Sequence, residues 1–196
     1  VYTEPDRRKL RMDGYDYDLP GYYFVTICTN KSREYFGEIN DNKVVLSSEG
    51  VIAERCWVDI PIHIKNVKLD KHVIMPNHVH GIIEIVDLVG NWHANSLQRT
   101  DNKMSRFQKL PVVIGSYKSA VTKYINRSNK KSCFQWQRYY YDHIITSDES
   151  LDSIRDYIIQ NPSNWKVDLE NLRNKNKISK KRYEELKREH YRNLFK

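Results

Sequence analysis

The stretch MPNHVHGIIEI, from Met75 to Ile85, decides how the rest of the chain is read. Pro76 and Asn77 mark a tight turn, and the run after them is rich in β-branched residues with no helical stripe, which reads as a strand. VKLDKHVIM, residues 67–75, has the same character on the other side of the turn, so the second of two joined strands opens with a histidine pair. Residues i and i+2 of a strand share a face, so His78 and His80 present two imidazoles side by side while Val79 turns to the opposite layer. Two such imidazoles are half of a divalent-metal site, and ordinary hydrogen bonding at a strand end is the competing reading. A histidine pair directly after a turn is expected at a sheet edge.

Working outward, GYYFVTICT from Gly21 reads as a first strand, and YFGEI and KVVL, separated by Asn40, Asp41 and Asn42, as a small hairpin. Ser47 and Ser48 offer caps for a helix carrying Val51, Ile52, Cys56 and Ile60, closed by Pro61. Val112 to Asn126 supplies the next helix and QRYYYDHII, residues 137–145, the next strand. The order strand, helix, two strands, helix, strand is that of a ferredoxin-like α+β sandwich, an antiparallel sheet with helices on one face. Residues 21–165 form that domain, preceded by a basic arm at 1–20 and followed by a charged, helical or floppy tail at 166–196. Within the domain, 87–109 is a polar loop long enough to be functional or disordered.

SLDSIRDYIIQNP, residues 150–162, carries Leu151, Ile154 and Ile158 on one stripe and reads as an amphipathic helix. Thr146 and Glu149 have capping-box spacing ahead of it, and Pro162 ends it. Tyr157 and Asn161 are four apart, neighbours at roughly 5 to 6 Å between Cβ atoms on one shoulder of the stripe. If the helix packs on the histidine-bearing sheet, Asn161 brings an oxygen ligand and Tyr157 a phenol. Tyr139 with His143 has the same spacing, but in a strand four residues span about 13 Å.

The HVH after MPN, the YYYDHII strand and the DYIIQNP helix end together resemble the single-tyrosine HUH nucleases, and within them the REP-associated tyrosine transposases and their insertion-sequence relatives. The resemblance runs from about Gly21 to Trp165. It implies that His78, His80 and Asn161 hold a divalent cation, Mg²⁺ or Mn²⁺, and that Tyr157 is the nucleophile. It further implies transesterification on single-stranded DNA near hairpin or REP-like elements, through a 5′-phosphotyrosine. His143 is a candidate for orienting the scissile strand or the phenol, and His72 and His93 read as bystanders. One tyrosine serves one strand at a time, so two transfers need a homodimer or sequential turnover.

Composition agrees with such a partner. A formal charge of +8 and a pI near 9.3 favour a polyanion, and fourteen tyrosines with four tryptophans offer surfaces for stacking bases. Arg7, Arg8, Lys9 and Arg11 in the arm, and Lys118, Lys123, Arg127, Lys130 and Lys131 on and after the second helix, are the candidate DNA contacts. Three scattered cysteines without a CxxC argue against a disulfide framework and a thiolate zinc site, and point to a reducing compartment. No stretch approaches the ~20 apolar residues of a membrane span, and the start lacks a signal peptide. The expectation is a cytoplasmic, nucleoid-associated prokaryotic protein whose initiator methionine is missing or trimmed. Two rivals remain at this stage: a non-catalytic nucleic-acid-binding module of the same fold, and a metal-dependent phosphodiesterase that activates water.

Overall fold

The structure is a computed structural model that describes residues 19–86, 109–128, 133–171, 174 and 176–194. The basic arm with Arg7, Arg8, Lys9 and Arg11, nearly all of the polar loop with His93, and Lys130 and Lys131 lie outside the described residues.

Strands β1 (Gly21–Cys28), β4 (Val67–Met75), β5 (His78–Ile85) and β6 (Tyr141–Ile145) form one antiparallel sheet in the order β4-β5-β1-β6. The hairpin β2 (Gly37–Asn40) and β3 (Lys43–Leu46) stands beside it, turning through Asp41 and Asn42 at φ of 48° and 60°. Both turn residues adopt the left-handed region that two-residue hairpin loops require, and Asp and Asn tolerate it. The helices are α1 (Ser48–Val58), α2 (Ile60–His63), α3 (Lys109–Ser128), α4 (Asp148–Gln160) and α5 (Lys180–Leu194), with a short 3-10 turn at Asn30–Ser32 after β1. The expected α+β sandwich with an antiparallel sheet is therefore present.

Several boundaries differ from the sequence reading for local reasons. Pro61 starts α2 rather than closing α1, because a missing N–H costs nothing in a first helical turn. Helix α3, described from Lys109, extends the expected Val112–Asn126 helix at both ends and includes Pro111. The cap of α4 is Ser147, whose hydroxyl accepts from Ser150 N at 3.1 Å, not the Thr146–Glu149 pair. Strand β6 starts only at Tyr141, so Tyr139 precedes it.

Alternation along the strands separates two cores. Tyr23, Val25 and Ile27 of β1 and Val79, Ile83 and Ile85 of β5 pack beneath α1 and α3. The opposite face offers Phe24 and Ile82, which pack with Leu151, Ile154 and Ile158 of α4 and Tyr191 of α5. His78 and His80 belong to this second face and are fully buried. Their strand is flanked by β4 and β1, so the site lies within the sheet and not at its edge, because the turn at Pro76–Asn77 connects a central strand.

Gly81, directly after the histidines, faces the first core. A Cβ there would stand 2.2 Å from the fully buried Trp57 ring, which is also held by Tyr117 edge-to-face at 5.2 Å. Gly81→Ala should therefore overpack the core and destabilise by about 1 to 3 kcal/mol, a fall of roughly 3 to 10 °C in thermal midpoint. Calorimetry checks this, and pairing the change with Trp57→Phe should recover part of the loss. A midpoint equal to that of the parent chain would refute the close approach.

Candidate active site

The site is assembled from the turn at Asn77 upward. The Asn77 amide nitrogen donates to Ser32 O at 3.1 Å and Glu170 O at 2.7 Å, so its Oδ1 can only face the other way. That oxygen lies 2.8 Å from His78 Nδ1. An amide oxygen only accepts, so Nδ1 carries the ring hydrogen and Nε2 keeps its lone pair. His78 Nε2 is buried and has no hydrogen-bond partner among the described residues.

His80 is held by the sheet itself. Thr26, its register partner on β1, lies 2.9 Å from Nδ1 through Oγ1, and Tyr191 of α5 reaches the same hydroxyl at 3.2 Å. With Nδ1 donating to Thr26, Nε2 accepts from the Tyr157 phenol at 3.2 Å. The two imidazoles stand 4.4 Å apart between centroids. Tyr157 therefore meets the histidine pair, whereas Tyr139 precedes β6.

Asn161 caps the C-terminal end of α4 and is buried. Its nitrogen donates to Asp168 Oδ2 at 3.2 Å, which turns Oδ1 away from the carboxylate. Asn161 Oδ1 is the second buried polar atom here without a partner among the described residues. Asp168 also offers an oxygen that shares a 4.8 Å cluster with one ring nitrogen from each histidine. Unpaired buried polar atoms are costly, and two of them beside a carboxylate fit a divalent cation. Two imidazoles, an amide oxygen and a carboxylate suit a borderline or oxygen-seeking ion.

The electrostatics keep these side chains in the neutral form. Burial lowers the pKa of His78 below the ordinary imidazole value, against Asp168 and Glu170, which favour its charged form. Burial and then the neighbouring His78 lower His80 further. Both rings are therefore neutral, as metal ligands must be. Burial also raises the Tyr157 phenol well above 10, helped by Tyr191, Asp168 and Glu170 and opposed by Lys187.

A cavity of about 220 Å³ opens above the site, lined among others by Tyr157, Asn161, Asp168, Lys187 and His190. Lys187 pairs with the buried Glu170, and the His190 ring lies 5.3 Å from that of Tyr157. His143 sits on the same sheet face as the site, in register with Phe24, and burial lowers its pKa to about 4. His72 occupies the other face, beside Glu54 and stacked on Trp57. Lys118 Nζ donates to Gln137 O at 2.7 Å and Arg138 O at 3.1 Å, while Lys123 and Arg127 are exposed on α3.

Six residues of this site were not foreseen from the sequence: Thr26, Asn77, Asp168, Lys187, His190 and Tyr191. Asn77 had a signal, its place inside MPNHVH. The others come from a register partner and from the charged C-terminal segment, where no spacing distinguishes Asp168 or His190 from solvated neighbours.

No family model matches the chain. It is 36% identical over 165 residues to an uncharacterised protein of Haemophilus influenzae, covering 83% of this chain and 91% of that one. Among solved structures, a REP-associated tyrosine transposase bound to a REP hairpin is similar over 79% of this chain and 74% of its own, with a TM-score of 0.52 and 15% identity. A Deinococcus radiodurans R1 protein provisionally assigned as a transposase covers 76% of this chain and 96% of its own, at a TM-score of 0.42 and 16% identity. The chain thus belongs to one family with the Haemophilus influenzae protein and shares the fold of the REP-associated tyrosine transposase.

Proposed function

We propose that this protein is a metal-dependent transesterase of single-stranded DNA, a transposase that nicks and rejoins strands at hairpin-associated sites through a 5′-phosphotyrosine. The observation that carries the reading is the convergence of the Tyr157 phenol on a buried, neutral histidine pair, 3.2 Å from His80 Nε2. His78, His80 and Asn161, with Asp168 beside them, would hold Mg²⁺ or Mn²⁺, the Tyr157 phenol yielding the single lone pair of His80 Nε2 to the ion. When bound, that ion supplies Lewis-acid polarisation of a non-bridging phosphate oxygen.

The remaining chemistry belongs to the side chains. Tyr157 Oη forms a bond to phosphorus, the bond from phosphorus to the 3′ oxygen breaks, and the departing oxygen ends as a hydroxyl. The raised phenol pKa means that the proton must be taken as the bond forms. His190, whose pKa burial lowers, is a neutral imidazole beside that phenol. His143 orients the scissile strand from the same sheet face. Because the phosphotyrosine ester conserves the energy of the broken bond, a second 3′-hydroxyl reverses the step without ATP. Two strand transfers then use two copies or successive turnovers.

Tyr157→Phe should abolish the covalent protein–DNA adduct, by roughly three orders of magnitude or more, with hairpin affinity nearly unchanged. A denaturing gel with 5′-labelled and 3′-labelled strands reads this. Persistent cleavage without an adduct would mean that water is the nucleophile.

Asn77→Ala removes the acceptor that sets the His78 tautomer, and should weaken Mn²⁺ binding about 10- to 100-fold. Asn77→Asp keeps the acceptor and should lose less metal affinity, but it sets a carboxylate oxygen against Ser32 O and Glu170 O and should lower stability. Calorimetric titration of both against the parent chain makes the comparison, and equal affinity of all three proteins would contradict the ligand assignment.

The sequence alone sets the acid limit of metal binding at the reference imidazole value of about 6.5. The lowered pKa values of His78 and His80 move that limit below 6.5. Stability follows the same sign. The unfolded chain takes up protons near pH 6.5 that the folded His78, His80, His143 and His190 refuse. Stability should be full above that value and fall as pH drops toward the folded values, about 4 for His143. Denaturant melts across pH, with Mn²⁺ titrations in parallel, test both; half-loss of binding above pH 6.5 would contradict the burial argument.

A further inference from the structure

The Thr26 hydroxyl joins the histidine pair to the far end of the chain. Its Oγ1 lies 2.9 Å from His80 Nδ1 and 3.2 Å from Tyr191 Oη, and Thr26 makes no other side-chain hydrogen bond among the described residues. The side chain is buried, so its one hydrogen has to lie on one of these two contacts. A hydroxyl carries one hydrogen and two lone pairs, and a neutral imidazole one hydrogen and one lone pair.

Two arrangements satisfy both contacts. In the first, His80 Nδ1 donates to Thr26, Thr26 donates to the Tyr191 oxygen, and His80 Nε2 keeps its lone pair. In the second, Tyr191 donates to Thr26, Thr26 donates to Nδ1, and the ring hydrogen moves to Nε2. Only the first leaves a nitrogen that can take a cation. A ring nitrogen of each histidine and an Asp168 oxygen lie within 4.8 Å of one another. This favours the first arrangement, since a lone pair there joins two other acceptors around one point and a hydrogen does not.

Tyr191 is held against Thr26 by the packing of α5. Its ring stacks on Tyr141 of β6, with centroids 4.0 Å apart and planes 9° from parallel, and packs on Phe24 of β1. One turn earlier Lys187 pairs with the buried Glu170. The carbonyl of Glu170 accepts from Asn77, whose other end sets His78. The segment after α4 thus reaches both rings, one through an amide and the other through two hydroxyls.

We propose that Tyr191 is a positioning residue that selects the tautomer of His80: its oxygen takes the Thr26 hydrogen and leaves that hydroxyl to accept from Nδ1. Without the phenol oxygen, the Thr26 hydrogen has Nδ1 as its remaining partner. The ring hydrogen is then forced onto Nε2, and the ligand is lost while the imidazole stays in place. Docking of α5 therefore decides whether His80 can ligate. The tautomer itself needs no ion, and only its consequence for metal rests on the function proposed above.

The test uses the full chain, ¹⁵N-labelled in histidine, in EDTA and at a pH above the reference imidazole value of about 6.5. Long-range ¹H–¹⁵N correlation reads which ring nitrogen of each histidine carries the hydrogen. The parent should hold His80 as Nδ1–H. Y191F should turn it to Nε2–H and leave His78 as Nδ1–H. T26V and T26V/Y191F should match each other, because the phenol acts only through the hydroxyl. A parent already in the Nε2–H form, an unchanged His80 in Y191F, or an equal change at His78 overturns the relay. Should Y191F not fold, a ring-fluorinated tyrosine at position 191 takes its place. Its more acidic phenol donates more readily to Thr26 and should shift His80 partway to Nε2–H, and an unshifted ring counts against the relay in the same way. With EDTA removed, Y191F should bind Mn²⁺ about 10- to 100-fold more weakly than the parent, and equal affinity overturns the proposal. If the tautomers change as expected while the parent itself binds no Mn²⁺, the relay stands and the metal reading of the site fails.

Discussion

The amide of Asn77 is the constraint on which the rest of the site depends. It joins three segments distant in sequence: the loop after β1 through Ser32, the C-terminal segment through Glu170, and the first histidine of β5. Because both of its hydrogens are committed to carbonyls, the tautomer of His78 follows without any further group being needed. A donor at that position would place the hydrogen on Nε2 and leave the ring unable to ligate. A single turn residue thereby links the closure of the fold to the chemistry of a ring nitrogen.

The second constraint is the alternation of β5. His78, His80 and Ile82 face α4 and α5, while Val79, Gly81 and Ile83 face α1 and α3. A slip of one residue would bury the imidazoles against Trp57 and turn Val79 toward Tyr157. The glycine contributes to this register, since only a residue without a Cβ fits beneath the Trp57 ring. Core packing on one face therefore positions the histidine pair on the other.

The C-terminal segment brings opposing charges to this buried place. Glu170 and Lys187 pair with each other, and Glu170 and Asp168 raise the Tyr157 phenol while Lys187 lowers it. Neutral imidazoles and a protonated phenol result from burial first and charges second. On the function proposed here, such side chains would be ready to take a cation, and the phenol would need a proton acceptor at the moment of attack.

The sequence by itself determined the element order, the strand that carries His78 and His80, the helix that pairs Tyr157 with Asn161, and hence the α+β sandwich. These were legible because strand and helix periodicities are local, with periods of 2 and 3.6 residues, and because prolines and asparagines punctuate the turns. Tertiary structure alone decided that β5 is central, that Thr26 and Asn77 orient the two rings, and that Asp168, Lys187, His190 and Tyr191 return to the site from the chain's far end. Strand order and long-range return depend on which apolar faces meet, and no local periodicity encodes a contact such as Thr26 with Tyr191, 165 residues apart.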